Sequence, residues 1–271
     1  YVSHTHAFLW KNGSRHDLGT LPGYANSSAA GISDHGEIVG FCAPNGHKDR
    51  NHLVLWQNGK IRDTGLINPA LTPTAAINDD GQIVMAATIR DGNGRLHSLG
   101  TLQAGVPSDA FFINSASPSS VVGNSYGHGF LWRDGKMTML GTLGGWTSQA
   151  KCVNNRDQVV DWAELRHRGR YHAFLWQHGK MTDLGALRAD GGGIANAIND
   201  QGVIVGEDDT GHAVLWKNGK IVDLNDELPT HAHVILSDAV GINNHGEILC
   251  NGSITGEMVN SLQEAYLLVP R

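Results

Sequence analysis

Residues 172–185 read His172-Ala173-Phe174-Leu175-Trp176-Gln177-His178-Gly179-Lys180-Met181-Thr182-Asp183-Leu184-Gly185. A short apolar run ends in tryptophan, a glycine sits three residues on, and a second short run follows. Glycine tolerates the positive φ that a tight hairpin needs, so the stretch predicts two antiparallel strands. The same run recurs as His6 to Trp10, His52 to Trp56, His128 to Trp132 and His212 to Trp216. A fading copy, Ala265 to Val269, lies near the end of the sequence. These copies account for five of the seven tryptophans.

Between the copies lies a second motif, Ala-x-x-Ile-Asn, then a glycine turn, then Ile-Val-Gly. Ala195 to Asn199 leads in this way to Ile204-Val205-Gly206, and Ala239 to Asn243 leads to Ile248-Leu249-Cys250. Six such units carry their Ile or Val at 32, 77, 113, 153, 198 and 242. No stretch sustains the 3.6-residue period of a helix. Four short strands repeated six times, at about 40 to 45 residues per unit, is the arithmetic of propeller blades. The fold expected is therefore all-β, a six-bladed β-propeller with four-stranded blades, spanning 1–271 as one domain. One blade is degenerate, because between Ile83 and Thr101 only Thr88 to His97 stands in for the tryptophan strand. The N- and C-terminal strands are expected to share the closing blade.

Composition narrows the function classes. The net charge is −6 and only 17% of residues are charged, which argues against a phosphate-backbone binder. No apolar run reaches the length of a membrane span. Cys42, Cys152 and Cys250 show no metal-ligand spacing. They read as small buried strand residues, although Cys42 and Cys250 fall in blades that would be neighbours in a closed ring.

The runs His6-Ala7-Phe8, His172-Ala173-Phe174, Met139-Leu140-Gly141-Thr142-Leu143-Gly144-Gly145 and Ile198 through Gly206 resemble the HAF-repeat family of bacterial β-propeller-like proteins. The resemblance covers nearly the whole chain. It implies a secreted or periplasmic setting and transfers no catalytic motif.

The repeat histidines sit on each blade's third strand. Strands lie about 4.8 Å apart, so these side chains fan outward, which favours structural hydrogen bonding over a shared metal. Asp208 and Asp209 lack a complete Ca²⁺-ligand pattern. No sequence motif calls for a cofactor.

With strands named A to D outward from the axis, the A–B and C–D turns are tight and nearly invariant. They are expected to leave no concavity on their face. The D–A and B–C loops vary and share the opposite face, where function more often sits. Residues entering the A strands, namely Ser28, Pro73, Asp109, Gln149, Ile194 and Asp238, are expected to ring the channel mouth.

Blade 4 departs most sharply from the repeat, with Val160-Asp161-Trp162-Ala163-Glu164-Leu165-Arg166-His167-Arg168 where others read Val-Gly. Trp146 lies on the same face, as do Glu207-Asp208-Asp209, His231 and His233. The candidate ligand-binding set is Trp146, Trp162, Arg166, His167, His231, His233 and Asp109. Trp would stack on an apolar or sugar face and Arg would hold a carboxylate. If the protein is an enzyme, Glu164 or Asp238 is expected to move a proton. A solvated charged loop is the plain alternative. The leading expectation is a binding module that presents the loop face to a small molecule, a saccharide or a protein, without nucleic acid or membrane insertion. An acid/base enzyme acting on a small molecule, by a Pictet–Spengler-type condensation or a hydrolysis, is the alternative. A concave axial pocket with a buried carboxylate would favour small-molecule chemistry, and a flat loop face would favour a partner.

Overall fold

Each repeat unit folds as a sheet whose strands pair antiparallel in sequence order, as the hairpin signals require. The computed structural model describes residues 5–44, 51–66, 74–166, 169–254 and 264–270, and these described residues form strands and turns but no helix. Six small sheets form a six-bladed β-propeller. Blade 1 comprises Asn26–Ile32, Ile38–Ala43, His52–Gln57 and Lys60–Leu66. Blade 2 is the weak one: Ala76–Ile77, Ile83–Met85, Thr88–Arg90 and Leu96–Ser98. Its third strand falls within the expected substitute segment, and Ile89 supplies the buried apolar side chain there.

Blade 3 is Ser108–Ile113, Ser120–Ser125, His128–Arg133 and Lys136–Met139. Blade 4 has its inner strand split into Gly144–Ser148 and Cys152–Val153, followed by Val159–Leu165, Tyr171–Gln177 and Lys180–Asp183. Blade 5 is Gly193–Ile198, Ile204–Asp208, Ala213–Lys217 and Lys220–Asp223. Blade 6 is Val234–Ile242, Ile248–Ile254 and Glu264–Leu268. The remaining hairpin, Phe8–Lys11 with Ser14–Asp17, forms a two-stranded sheet. It docks on blade 1, where Ser27 N donates to Thr5 O at 2.8 Å and Ala7 N donates to Ser27 Oγ at 3.0 Å.

The repeat tryptophans lie at one register, and their surroundings decide their burial. Trp56, Trp176 and Trp216 face Ile38, Val159 and Ile204 across the strand pair and are buried. Trp132 is half-buried opposite Val121. Trp10 differs from the expectation of five equivalent buried rings. Among the described strands its own pairs only with Ser14–Asp17, so no B strand covers it and it is 61% exposed.

The repeat histidines bond within their own hairpins. Nδ1 of His6, His52, His172 and His212 lies 2.7–2.8 Å from a carboxylate oxygen of Asp17, Asp63, Asp183 and Asp223. Each aspartate also accepts a backbone N–H two residues on, as Asp63 does from Gly65 at 2.8 Å. Blade 3 has Met139 where the aspartate would stand, and there His128 Nδ1 is buried without a partner. All three cysteines are buried and free. Burial pushes the Cys152 thiol up to about 11 and the Cys250 thiol up to about 12, which leaves both protonated and unreactive at neutral pH.

The Asn of each Ala-x-x-Ile-Asn motif ties one blade to the next. Nδ2 of Asn78, Asn114, Asn154 and Asn199 donates to the backbone carbonyl of Asn114, Asn154, Asn199 and Asn243 in turn, at 2.9–3.1 Å. A second belt lies one residue further along, with Asp79 N donating to Ser115 Oγ, Ser115 N to Asn155 Oδ1 and Asn155 N to Asp200 Oδ1.

Candidate functional site: the axial pocket on the loop face

The inner strands carry a β-bulge that aims one side chain at the axis. The register skips Ala30, Phe111, Asn196 and Val240, leaving each outside the ladder. Each is the first variable residue of its Ala-x-x-Ile-Asn motif, and Ala75 and Lys151 are the equivalents in blades 2 and 4. Five of these six, all but Val240, line a cavity of about 500 Å³ at the axis on the side of the D–A and B–C loops.

The expected ring of strand-entry residues is corrected in part by this geometry. Ser28, Gln149 and Ile194 do line the cavity, but the bulge residues supply its deeper wall. Asp109 is half-buried on the inner strand of blade 3, away from the cavity lining. Pro73 lies outside the described residues.

In blades 1, 3 and 5 the bulge faces a glycine on the neighbouring B strand, whereas in blade 6 Cys250 stands at that register and the inner strand carries a second bulge at Ser237. A Cβ on Gly40, Gly123 or Gly206 would lie 2.1, 1.9 or 1.9 Å from the carbonyl oxygen of Ser28, Asp109 or Ile194. No side chain fits there unless the inner strand moves. Blade 4 carries Asp161 at this register, opposite Phe174 just as Gly206 is opposite Val214. Its inner strand is interrupted beside this residue. Residues 149–151 leave the strand, held by Gln149 N donating to Trp162 O at 3.0 Å and Lys151 N to Val160 O at 3.1 Å.

Asp161 lines the cavity, is 1% exposed, and its Oδ2 has no hydrogen-bond partner. Burial pushes its carboxyl up to about 8, with the nearby Lys151 cation acting in the opposite direction. Lys151 Nζ donates to Asn196 Oδ1 at 2.5 Å, and Asn196 Nδ2 donates to Asp238 Oδ1 at 2.6 Å. One polar chain thus runs from blade 4 through blade 5 to blade 6. Glu207 completes this wall; burial, then the Asp238 charge, raise its carboxyl above the usual range. Asp238 is raised as well, by burial, against the pull of Lys151 and hydrogen bonds from Asn251 and Asn196. The facing wall is mostly apolar, built by Ala29, Ala30, Phe41, Ala75 and Phe111, with Ser28 and Thr74 as its polar members and Thr74 Oγ1 buried without a partner.

The candidates from sequence are only partly brought together. Trp162 lines the cavity, with Nε1 donating to Gln149 Oε1 at 3.3 Å and its ring 5.6 Å from Tyr171. Asp238 reaches the site through Asn196. Glu164 instead braces the inner strand of its blade, its Oε2 accepting from Trp146 N at 2.8 Å and Thr147 N at 3.3 Å. Trp146, Arg166, His231 and His233 are exposed and outside the cavity lining. His167 lies outside the described residues. Asp208 holds a turn, accepting from Thr210 N and His212 N at 3.0 Å each. Lys151, Asp161 and Asn196 are not among the sequence candidates, although both signals stand in the repeat: an aspartate at a glycine register, and a bulge position reading Ala, Ala, Phe, Lys, Asn, Val.

The turn face also departs from expectation, because the channel widens there into a cavity of about 700 Å³. The innermost turns stand around the axis without meeting across it. Many of its polar groups are already used in the belts between blades, as Asn155 N on Asp200 Oδ1 and Asp200 N on Asn244 Oδ1, both at 2.8 Å. The loop-face pocket, by contrast, holds a buried carboxyl oxygen with nothing to bond.

No family model matches the chain, and no curated protein matches it. Solved structures do. Virginiamycin B lyase from Staphylococcus aureus is 13% identical, with a TM-score of 0.54 over 90% of this chain and 85% of that one. TolB from Acinetobacter baumannii is 11% identical with a TM-score of 0.51; the match covers 78% of this chain but only 54% of TolB. The acylaminoacyl peptidase of Pyrococcus horikoshii is 10% identical with a TM-score of 0.57, and 45% of that chain is covered. At such identities the likeness is one of fold, and it places this chain among propeller-type proteins.

Proposed function

We propose that this protein is a propeller binding module that takes a small organic molecule into the axial pocket on its loop face. The observation that carries this reading is Asp161, a carboxyl group buried in the pocket wall with an unbonded oxygen. Burying a polar atom without a partner costs about 1–3 kcal/mol, a cost that a hydrogen-bonding ligand removes. A concave pocket with one polar and one apolar wall suits a small molecule better than a flat protein surface does. The propeller likeness supports the reading only as far as the fold, since similar folds serve enzymes and binding domains alike. A secreted or periplasmic setting follows from the resemblance to HAF-repeat proteins. Among the described residues no helix is long and apolar enough to cross a membrane.

The test is a thermal-shift screen of amines, sugars and carboxylic acids against the protein and its Ala30→Trp variant, which fills the pocket. Stabilisation by at least one compound, lost in the variant, is expected. A screen with no stabilising compound, or one whose hits survive the plug, overturns the reading.

A catalytic use of the same pocket is favoured by one observation. A carboxyl group with its pKa near 8 still holds its proton at neutral pH, so Asp161 has a proton to give as a general acid. Turnover of a bound compound that disappears in Asp161→Asn would support this second reading.

A further inference from the structure

We propose that the axial pocket selects an organic cation, a small primary amine with an apolar or aromatic body, whose ammonium group lies on the wall formed by Asp161, Glu207 and Lys151. This rests on the reading of the pocket as a small-molecule site.

Three carboxyl groups feel the Lys151 cation: Asp161 from the B strand of blade 4, Glu207 from the B strand of blade 5, and Asp238 from the inner strand of blade 6. Asp208 lies next to Glu207 and adds to the negative potential there. Lys151 is the cation that acts on all three, and its ammonium is already engaged with Asn196 Oδ1. One cation therefore faces three potential anions at a partly buried wall. That surplus is relieved either by keeping protons on the carboxyls or by bringing in a second cation.

Geometry supplies the rest. The unpartnered Oδ2 of Asp161 is a buried acceptor at the pocket wall, and an ammonium brings three donors. Phe41 and Phe111 on the facing wall offer apolar contact for the ligand's body, and the Trp162 ring at the cavity edge can take a cation over its face. An anion would meet carboxyl oxygens and would compete with Asn196 for Lys151. The raised carboxyls add a signature of their own. A cation favours their charged forms, so binding near neutral pH should expel protons from the pocket.

The experiment is isothermal titration calorimetry with phenethylammonium, using 2-phenylethanol and phenylacetate as the neutral and anionic counterparts. Runs at pH 7 in two buffers of different ionisation enthalpy report the protons exchanged. The expected result is that phenethylammonium binds at least about tenfold more tightly than either counterpart. It should also release protons, and it should lose about tenfold in affinity in Glu207→Gln, with binding abolished by Ala30→Trp. Equal or tighter binding of 2-phenylethanol or phenylacetate overturns the cation assignment and leaves the small-molecule reading standing. Phenethylammonium binding that survives Ala30→Trp also overturns the assignment, because the amine then sits elsewhere. Failure of all three probes to bind overturns it too, while the broader screen decides the small-molecule reading separately. If Glu207→Gln lacks the wild-type unfolding midpoint, Glu207→Asp serves as the second variant, with intermediate affinity expected and wild-type affinity for 2-phenylethanol.

Discussion

Asp161 and Gly206 occupy the same register in adjacent blades, one opposite Phe174 and the other opposite Val214, yet only the glycine leaves room for its inner strand to bulge against it. A Cβ on Gly206 would lie 1.9 Å from Ile194 O, so blade 5 keeps a continuous inner strand. Blade 4 carries the side chain and has its inner strand split in two. Lys151 and Gln149 reach the axis there as Asn196 and Ile194 do in the unsplit blade 5.

Gly206→Ala should therefore destabilise the protein strongly, by about 3 kcal/mol or more, because backbone and not a flexible side chain stands in the way. Asp161→Gly should cost far less or stabilise, since it restores the repeat and removes a buried unbonded oxygen. Urea unfolding of the two variants side by side checks this, and a larger loss for Asp161→Gly would contradict it.

The pH dependence of stability carries the mark of Asp161. Its carboxyl is raised from 3.8 to about 8 in the folded state, so unfolding above pH 4 releases a proton. The folded state binds more protons than the unfolded state across this window, and stability falls as pH rises from about 4 toward 8. The slope is at most ~1.4 kcal/mol per pH unit. Asp161→Asn should flatten the curve between those limits, as measured by urea midpoints at pH 5 and pH 8.

The His–Asp clasps act in the opposite direction at lower pH. For Asp63, burial works to raise the carboxyl, but hydrogen bonds from His52 and Gly65 outweigh it and the net shift is downward from 3.8. Such a group contributes stability above its unfolded value, and that contribution is lost as pH falls below about 4. Asp63 is 44% exposed, so solvent screening keeps the effect of Asp63→Asn below about 1 kcal/mol at pH 7. Denaturant titrations at pH 3 and pH 7 should show the variant and the wild type converging at the lower pH.

Tryptophans of one sequence motif should differ in cost according to their surroundings. Trp176→Ala leaves a cavity between blades and should cost roughly 3–5 kcal/mol. Trp10→Ala removes a ring that is 61% exposed and should cost under about 1 kcal/mol. Equilibrium unfolding of the pair measures the contrast; equal losses would mean that Trp10 is covered in solution.

How far the sequence reaches is clearest at blade 4. Strand order, hairpin turns and the six-fold repeat were legible because each depends on residues close together in the chain: Asn-Gly turns, apolar runs, the Ala-x-x-Ile-Asn motif. The burial of Trp56, Trp176 and Trp216 followed from the same local pattern. Asp161 was equally visible as a departure from Val-Gly, but its consequence was not, because Lys151, the cation beside it, lies on a different strand. Attention fell on Glu164, whose carboxylate turned out to hold Trp146 N and Thr147 N. The meeting of Lys151, Asn196 and Asp238 spans three blades and 87 positions of sequence, counted from Lys151 to Asp238. Such a meeting is set by how the sheets stand around the axis. Local chemistry fixes which strands form and where they turn; only the ring decides which charges share a pocket, since charge coupling depends on distance through space and on the water excluded between groups.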